Sequence, residues 1–159
     1  MIHYLIVFLI SMVPLIELRG AIPYGLALAE QFALSPLLIY AVAIVGNCIP
    51  VPFIIFFIRK ILSWMQDSRV AFFRRVANFV VEKAERGLGK VQKYASLGLF
   101  LFVAIPLPGT GAWTGALIAA LFRMRKRYAF PSIFLGVLAA GIIMSLITGG
   151  VLAGLGFLL

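Results

Sequence analysis

Two charged side chains, Glu17 and Arg19, lie within an apolar stretch near the beginning of this sequence. A charge at the depth of a lipid bilayer is costly unless it is paired or hydrated, so such residues indicate a functional site. A guanidinium can bind an anionic head group, and a partly desolvated carboxylate can take up and release protons. We therefore predict that Arg19 receives an anionic group and that Glu17 carries a proton.

The spacing of these two charges limits how they can act together. In a regular helix they would lie on opposite sides, so they can share a site only if residues 17–23 are not helical, as Gly20 and Pro23 indicate. The alternative is a structural ion pair that closes a turn.

A second candidate region is the sequence Pro-Leu-Pro-Gly-Thr-Gly-Ala-Trp-Thr-Gly at 106–115. Proline interrupts a helix. The helix that restarts after an interruption directs its unpaired N–H groups and the positive end of its dipole at the turn, where they can bind an anion. We expect restarts at about 21–23, with Pro23 in the first turn, and at about 110–112, with Thr110 as the N-cap.

Asn47, an amide deep in an apolar segment, either lines the same cavity or bonds a neighbouring helix. The single cysteine, Cys48, excludes an intramolecular disulfide and is expected to be a packing residue. The sequence contains no nucleophile–base pair, metal-ligand cluster, phosphate-binding loop or haem motif, so we expect neither an enzyme nor a cofactor. The predicted substrate- and ion-binding residues are Glu17, Arg19, Gly20, Pro23, Asn47, Pro106, Pro108, Gly109, Thr110, Gly111, Trp113 and Thr114.

The composition is that of a membrane protein. The 159 residues are 64% hydrophobic and 12% charged, which is more apolar surface than one small soluble core can bury. The apolar residues form long blocks between short charged patches, as membrane spans do. The formal net charge of +9 fits cytoplasmic loops that face anionic lipid, and no nucleic-acid-binding motif accompanies it. We expect membrane lipids, and not nucleic acid, as partners.

Four apolar blocks follow one another, two on each side of a polar segment at 59–93. The second and fourth are predicted to cross the bilayer as helices at 36–58 and 131–157, because roughly 20 apolar residues cover a hydrocarbon core of about 30 Å. The first and third, at 2–33 and 96–122, are interrupted near the middle, so each of their half-helices reaches only part of the way across.

The positions of Lys and Arg predict the topology. Basic residues flank the block at 96–122 on both sides, so the positive-inside rule is satisfied if this block enters from the cytoplasm, turns near the midplane and returns. The block at 2–33 is then a hairpin from the outer face, with two short spans through a thinned bilayer as the alternative. The predicted fold is a single all-α integral membrane domain over 1–159. It is an inverted repeat, in which 1–58 and 94–159 each contain a re-entrant hairpin plus a transmembrane helix, and this arrangement is found in many secondary transporters.

The connector at 59–93 has apolar and basic residues at spacings of three and four. This pattern predicts a basic amphipathic helix on the cytoplasmic membrane surface, with Trp64 near the interface. A plain anchor is the expected role, and lipid sensing is the alternative. A bend is expected at Gly87 and Gly89.

Together, the sequence Glu17-Leu-Arg19-Gly20-Ala-Ile-Pro23 and the sequence at 106–115 resemble the small multidrug export protein family of prokaryotic membrane proteins and, more remotely, the DedA superfamily. The resemblance covers nearly the whole chain. For DedA-like proteins it implies two opposed re-entrant hairpins, proton-linked behaviour, and transport or flipping of lipids, including polyprenyl phosphate carriers. DedA proteins often have an Arg two residues after the Pro-Gly of the second hairpin, where this chain has Gly111.

The leading hypothesis is a multi-pass transporter of a prokaryotic inner membrane that moves an amphipathic or anionic substrate, such as a lipid phosphate, through a midplane site and is coupled to protons at Glu17. The alternatives are a small multidrug exporter of lipophilic compounds, a lipid scramblase, and a non-transporting scaffold. The sequence leaves the oligomeric state open, and a homodimer is the simplest arrangement by which so short a chain could surround a polar site.

Overall fold

A computed structural model describes residues 1–29, 31–88, 92–107 and 109–158, and it leaves the side chains of 80–81, 83–88, 92–93 and 152–158 undescribed. Within these ranges the protein is all-helical and no strand occurs. The helices are α1 (Ile2–Met12), α2 (Glu17–Ala27), α3 (Pro36–Cys48), α4 (Pro50–Gln66), α5 (Ala71–Leu88), α6 (Gln92–Ala104), α7 (Ala112–Leu121) and α8 (Lys126–Leu158).

Two long apolar helices can cross a membrane. One combines α3 and α4, which are separated only by Ile49, into 31 residues at Pro36–Gln66, and the other is α8. At 1.5 Å per residue the first is about 46 Å long, more than a bilayer core needs. Both helices extend beyond the predicted spans. Pro131 lies inside α8 rather than at its start. The helix tolerates proline at this position because the missing N–H leaves only one carbonyl, in the first turn, without a helical partner.

Four short helices form two hairpins. The first hairpin consists of α1, α2 and the turn at 13–16, and the second consists of α6, α7 and the segment at 105–111. Their helices contain 11, 11, 13 and 10 residues. Each is therefore about 15–20 Å long and too short to cross a hydrocarbon core alone.

The predicted restart of the first hairpin at residues 21–23 is wrong, because α2 begins at Glu17 and contains Pro23 in its interior. The chain turns earlier than its proline and glycine pattern indicates. Leu15 and Glu17 adopt positive φ angles of 72° and 51°, which reverse the chain within a few residues. The break is thus a tight turn rather than an extended non-helical segment.

The open ends of the two hairpins lie at opposite ends of the α3–α4 helix. At its start, the backbone N–H of Ser35 donates to the Tyr4 hydroxyl at 2.8 Å, which joins the beginning of α1 to the segment that follows α2. Towards its other end, the Arg59 guanidinium donates to the Met124 carbonyl, which follows α7. The two turns therefore approach each other between these ends.

Close helix packing holds each hairpin against a long helix. A Cβ atom at Gly46 of α3 would overlap Ser11 of α1, and one at Gly136 of α8 would contact Val103 of α6 at 2.7 Å. The long helices are joined by the Tyr40 hydroxyl, which donates to a carbonyl of α8 at 2.9 Å. Glycine at these positions lets the backbones approach closely, as is typical of helices that associate in lipid.

The helix predicted in the connector is present as α5, and it folds back onto the end of α4. The rings of Trp64 and Phe73 lie 6.3 Å apart, and the Gln66 amide donates to Asn78 at 3.1 Å. The expected bend at Gly87 does not occur, because α5 continues through it, and Gly89 lies outside the described residues.

Candidate functional site between the hairpin tips

The carboxylate of Glu17 binds the beginning of α7, 95 residues further along the chain. Its two oxygens accept the backbone N–H of Ala112 at 3.3 Å and that of Trp113 at 3.2 Å. These are the first N–H groups of α7, which have no partner within the helix. Glu17 is 4% exposed, so a buried carboxylate caps a helix that belongs to the other hairpin.

The expected N-cap, Thr110, does not cap α7. Gly111 occupies the cap position and offers no side chain, and Glu17 supplies the acceptor instead. The hydroxyl of Thr110 lies within the turn and donates to the Ile105 carbonyl at 2.8 Å. The hydroxyl of Thr110 therefore stabilises the turn and not the helix end.

Arg19 binds the carbonyl groups of the same turn. Its guanidinium donates to the carbonyls of Leu107 and Thr110 and, at 2.7 Å, to the Thr110 hydroxyl. The planar donor array of arginine suits several acceptors in one loop. Glu17 and Arg19 thus hold the second hairpin at two adjacent points, the helix start and the turn before it.

Glu17 and Arg19 reach the same loop although both belong to α2, so the requirement for a non-helical 17–23 segment is wrong. Backbone groups of the second hairpin lie beside the first turn of α2, where side chains in different directions can both reach them. These groups belong to Leu107, Thr110, Ala112 and Trp113. Among the hydrogen bonds of the described residues, the side chains of Glu17 and Arg19 both bind the second hairpin. An ion pair between Glu17 and Arg19 that closes the turn of the first hairpin is not among these contacts.

A reciprocal contact runs from the second hairpin to the first. The indole N–H of Trp113 donates to the Met12 carbonyl at 3.2 Å. Met12 is the last residue of α1, where carbonyl groups lack helical partners. Each hairpin therefore completes a helix end of the other.

Gly111 makes room for the carboxylate. Its φ is 146°, and a Cβ atom there would overlap both oxygens of Glu17. A larger side chain at this position would displace the carboxylate from α7. This contact is a physical reason for glycine at position 111.

Asn47 lies beside the Glu17 carboxylate and is completely buried. Neither its amide nitrogen nor its amide oxygen makes a hydrogen bond of normal geometry. Leaving a buried polar group unpaired costs about 1–3 kcal/mol, so native proteins rarely do so without a functional reason. Asn47 is thus available to a further hydrogen-bonding group at this site.

The other predicted site residues lie around these contacts. Gly20 packs against Ile16, Gly109 is exposed with a φ of 82°, and the Thr114 hydroxyl donates to the Gly111 carbonyl at 3.3 Å. Pro23 and Pro106 form no part of the hydrogen-bond set described above, and Pro108 lies outside the described residues. No group of three or more His, Cys, Asp or Glu side chains that could hold a metal occurs in the part of the chain that the structure describes.

A feature that sequence reasoning missed is an apolar groove of about 410 Å³ between the two long helices. Cys48, next to Asn47, lines it together with Val51, Phe130, Pro131, Ile133 and Phe134. The lining residues of the two helices are at least 79 positions apart along the chain, and no local pattern in the sequence brings them together.

The profile of a protein family described as "Putative small multi-drug export protein" matches residues 17–143, which include Glu17, Arg19 and the turn of the second hairpin. Neither a curated protein nor a solved structure matches the chain. The more remote similarity to the DedA superfamily stays a prediction.

Proposed function

The chain belongs to the small multi-drug export protein family, and we propose that it is a membrane transporter that moves an amphipathic anion past the two hairpin tips together with protons at Glu17. The observation that carries this proposal is the Glu17 carboxylate on the N–H groups of Ala112 and Trp113. The protein's own anionic group occupies a site that is chemically suited to anions.

The proposed membrane arrangement is an inverted repeat of two re-entrant hairpins in a multi-pass protein of a prokaryotic inner membrane. Its support is the contact of the first hairpin's open end with Ser35 and that of the second with Arg59. Asn47 lies 12 residues after Ser35 and 12 before Arg59 on the α3–α4 helix, about 18 Å from each. The tips would then meet near the midplane, where transporters of this architecture bind their substrates.

The proposed mechanism is a competition for the start of α7. Protonation removes the charge of Glu17, and a neutral acceptor binds an N–H group roughly half as strongly as a charged one. The carboxyl group then leaves, and a phosphate or carboxylate of the substrate takes its place on the same N–H groups. Arg19 supplies further donors, and the amide of Asn47 supplies a partner for a substrate oxygen.

Proton and substrate are coupled in this mechanism because the site accepts one negative charge at a time. When the substrate leaves, Glu17 loses its proton and returns to Ala112 and Trp113. The closed arrangement of the tips corresponds to the deprotonated state without substrate.

The test uses proteoliposomes that contain a pH-sensitive dye, to which octyl phosphate is added as an amphipathic anion. The wild-type protein is expected to produce a proton flux that depends on octyl phosphate, and Glu17→Gln is expected to abolish it. Asp67→Asn is the matched control, because Asp67 is an exposed carboxylate at the end of α4. An unchanged proton flux in Glu17→Gln would refute the role of Glu17.

A second candidate function is export of lipophilic compounds. It is favoured by the apolar groove between α3–α4 and α8, whose described lining carries no charge, and by the family description. The same proteoliposomes distinguish the two functions. A proton flux in response to the lipophilic dye rhodamine 6G and not to octyl phosphate would favour this candidate.

The topology is tested with single cysteines in a Cys48→Ala background, labelled by an impermeant thiol reagent in oriented vesicles. Cysteines at Ala95 and Tyr128 flank the second hairpin, and cysteines at His3 and Gln31 flank the first. Each pair is expected to label from one face, the former from the cytoplasm and the latter from outside. Labelling of either pair from opposite faces would mean that its block crosses the bilayer.

A further inference from the structure

Two arginines lie together at the end of α7 that is remote from the hairpin tips. Arg59 of α4 donates to the Met124 carbonyl, and Arg123 donates to the Gln66 side-chain oxygen at 2.6 Å. Because α7 contains 10 residues, this cluster lies about 15 Å from the contacts of Glu17. It is therefore a separate site and does not depend on the proposed function.

The positive charges of this cluster are not neutralised by their described partners. Both acceptors are neutral, and the two guanidinium groups are close enough to repel each other. The Nε atom of Arg59 is buried and has no hydrogen-bond partner. Two guanidinium groups with spare donors are the arrangement that binds a phosphate.

An apolar groove of about 270 Å³ begins beside this cluster and runs between α6 and α7. Met124 links the two features, because its carbonyl accepts from Arg59 and its side chain lines the groove. The groove is further lined by Gly98, Phe102, Ile118 and Phe122. A pair of cations at the mouth of an apolar groove matches a ligand with an anionic head and a hydrocarbon chain.

We propose that an anionic phospholipid binds here, with its phosphate at Arg59 and Arg123 and part of one acyl chain in the groove. Basic pockets between membrane helices on the cytoplasmic side bind lipid head groups in this way. The lipid would join α4, α7 and α6, and so would fix the open end of the second hairpin against the α3–α4 helix.

The test is native mass spectrometry of the purified full-length protein with phosphatidylglycerol or phosphatidylcholine, which measures the fraction of protein that retains one lipid. The double variant Arg59→Gln and Arg123→Gln is expected to weaken phosphatidylglycerol binding by about tenfold or more, equivalent to about 1.4 kcal/mol. Lys60→Gln removes one charge from an exposed neighbour of Arg59 and is expected to have little effect.

The groove is tested separately by Gly98→Leu. A Cβ atom at Gly98 meets nothing within 4 Å, so leucine can fill the groove without disturbing the helices. This variant is expected to weaken phosphatidylglycerol binding severalfold while the thermal unfolding temperature is kept. Gly149→Leu is the matched control, because a Cβ atom there also meets nothing within 4 Å.

Four outcomes would overturn the proposal. Equal retention of phosphatidylcholine and phosphatidylglycerol would show that the head-group charge is not recognised. An equal loss in Lys60→Gln and in the double variant of Arg59 and Arg123 would show general attraction to a basic surface. Full binding by Gly98→Leu, or displacement of the lipid by glycerol phosphate at equal concentration, would exclude the groove as the acyl-chain site.

Discussion

Replacing Glu17 by Gln removes the charge that joins the two hairpin tips and leaves the side-chain volume almost unchanged. The carboxylate accepts the N–H groups of Ala112 and Trp113 with separate oxygens. An amide has only one acceptor oxygen, so Gln can keep one of these bonds and must present its NH₂ group to the other N–H. That N–H then loses its only described partner.

The magnitude follows from these contacts. Loss of one hydrogen bond to a charged group costs about 1.5–3 kcal/mol. Loss of the negative charge at the start of α7 costs a further 0.3–1 kcal/mol or so. Burial of a neutral amide in place of a charge is easier and offsets part of this cost. We therefore expect Glu17→Gln to lower the free energy of unfolding by about 2 kcal/mol.

The assay uses Trp113 as the reporter, because its indole donates to Met12 across the same contact. In a Trp64→Phe background Trp113 is the sole tryptophan, and its emission is followed during titration of mixed micelles with dodecyl sulfate. Glu17→Gln is expected to unfold at a lower dodecyl sulfate fraction than Asp67→Asn. Equal midpoints for these two variants would refute the conclusion that the carboxylate holds the tips together.

Three further predictions concern the same contacts. Gly111→Ala should destabilise the protein by about 2–4 kcal/mol in the same titration, because the added Cβ atom overlaps the Glu17 carboxylate. Gly109→Ala should cost only about 1–2 kcal/mol, because Gly109 also has a positive φ but a Cβ atom there meets open space. Arg19→Lys should increase amide hydrogen exchange at 105–111 by about tenfold, because one ammonium group cannot reach all the acceptors that the guanidinium binds. Asn47→Leu should abolish the octyl phosphate-dependent proton flux, because it removes the buried amide that the proposed mechanism assigns to a substrate oxygen; unchanged transport would exclude that role.

The sequence predicts the main elements because the signals for them are local. Apolar runs of sufficient length predict α3–α4 and α8, and prolines and glycines inside the other two apolar blocks predict that each is divided into short helices. The position of the first break, at 13–16 rather than 17–23, was not predicted. The charges of Glu17 and Arg19 are conspicuous in an apolar segment for the same reason. A local pattern is sufficient to single out these two charged residues as candidates for a site.

The partners of those charges could not be predicted, because they depend on contacts between distant parts of the chain. Local rules assign the start of α2 to Pro23 and the cap of α7 to Thr110, and both assignments fail. The carboxylate that caps α7 lies 95 residues away, and the positive φ of Glu17 that directs it there has no signature in the sequence. The need for glycine at 111 is likewise visible only when Glu17 is in place.

The reciprocal contacts explain how the tips could act as a gate. Glu17 completes the start of α7 and Trp113 completes the end of α1, so neither hairpin satisfies its own helix ends. Separation of the tips therefore exposes unpaired N–H and carbonyl groups unless another molecule binds them. A shift of a two-state equilibrium from 1:99 to 99:1 requires about 5.5 kcal/mol. Loss of charge at Glu17 would supply a few kcal/mol of this amount. An anion that binds the vacated N–H groups could supply the rest. Neither the proton nor the substrate alone would therefore open the gate fully.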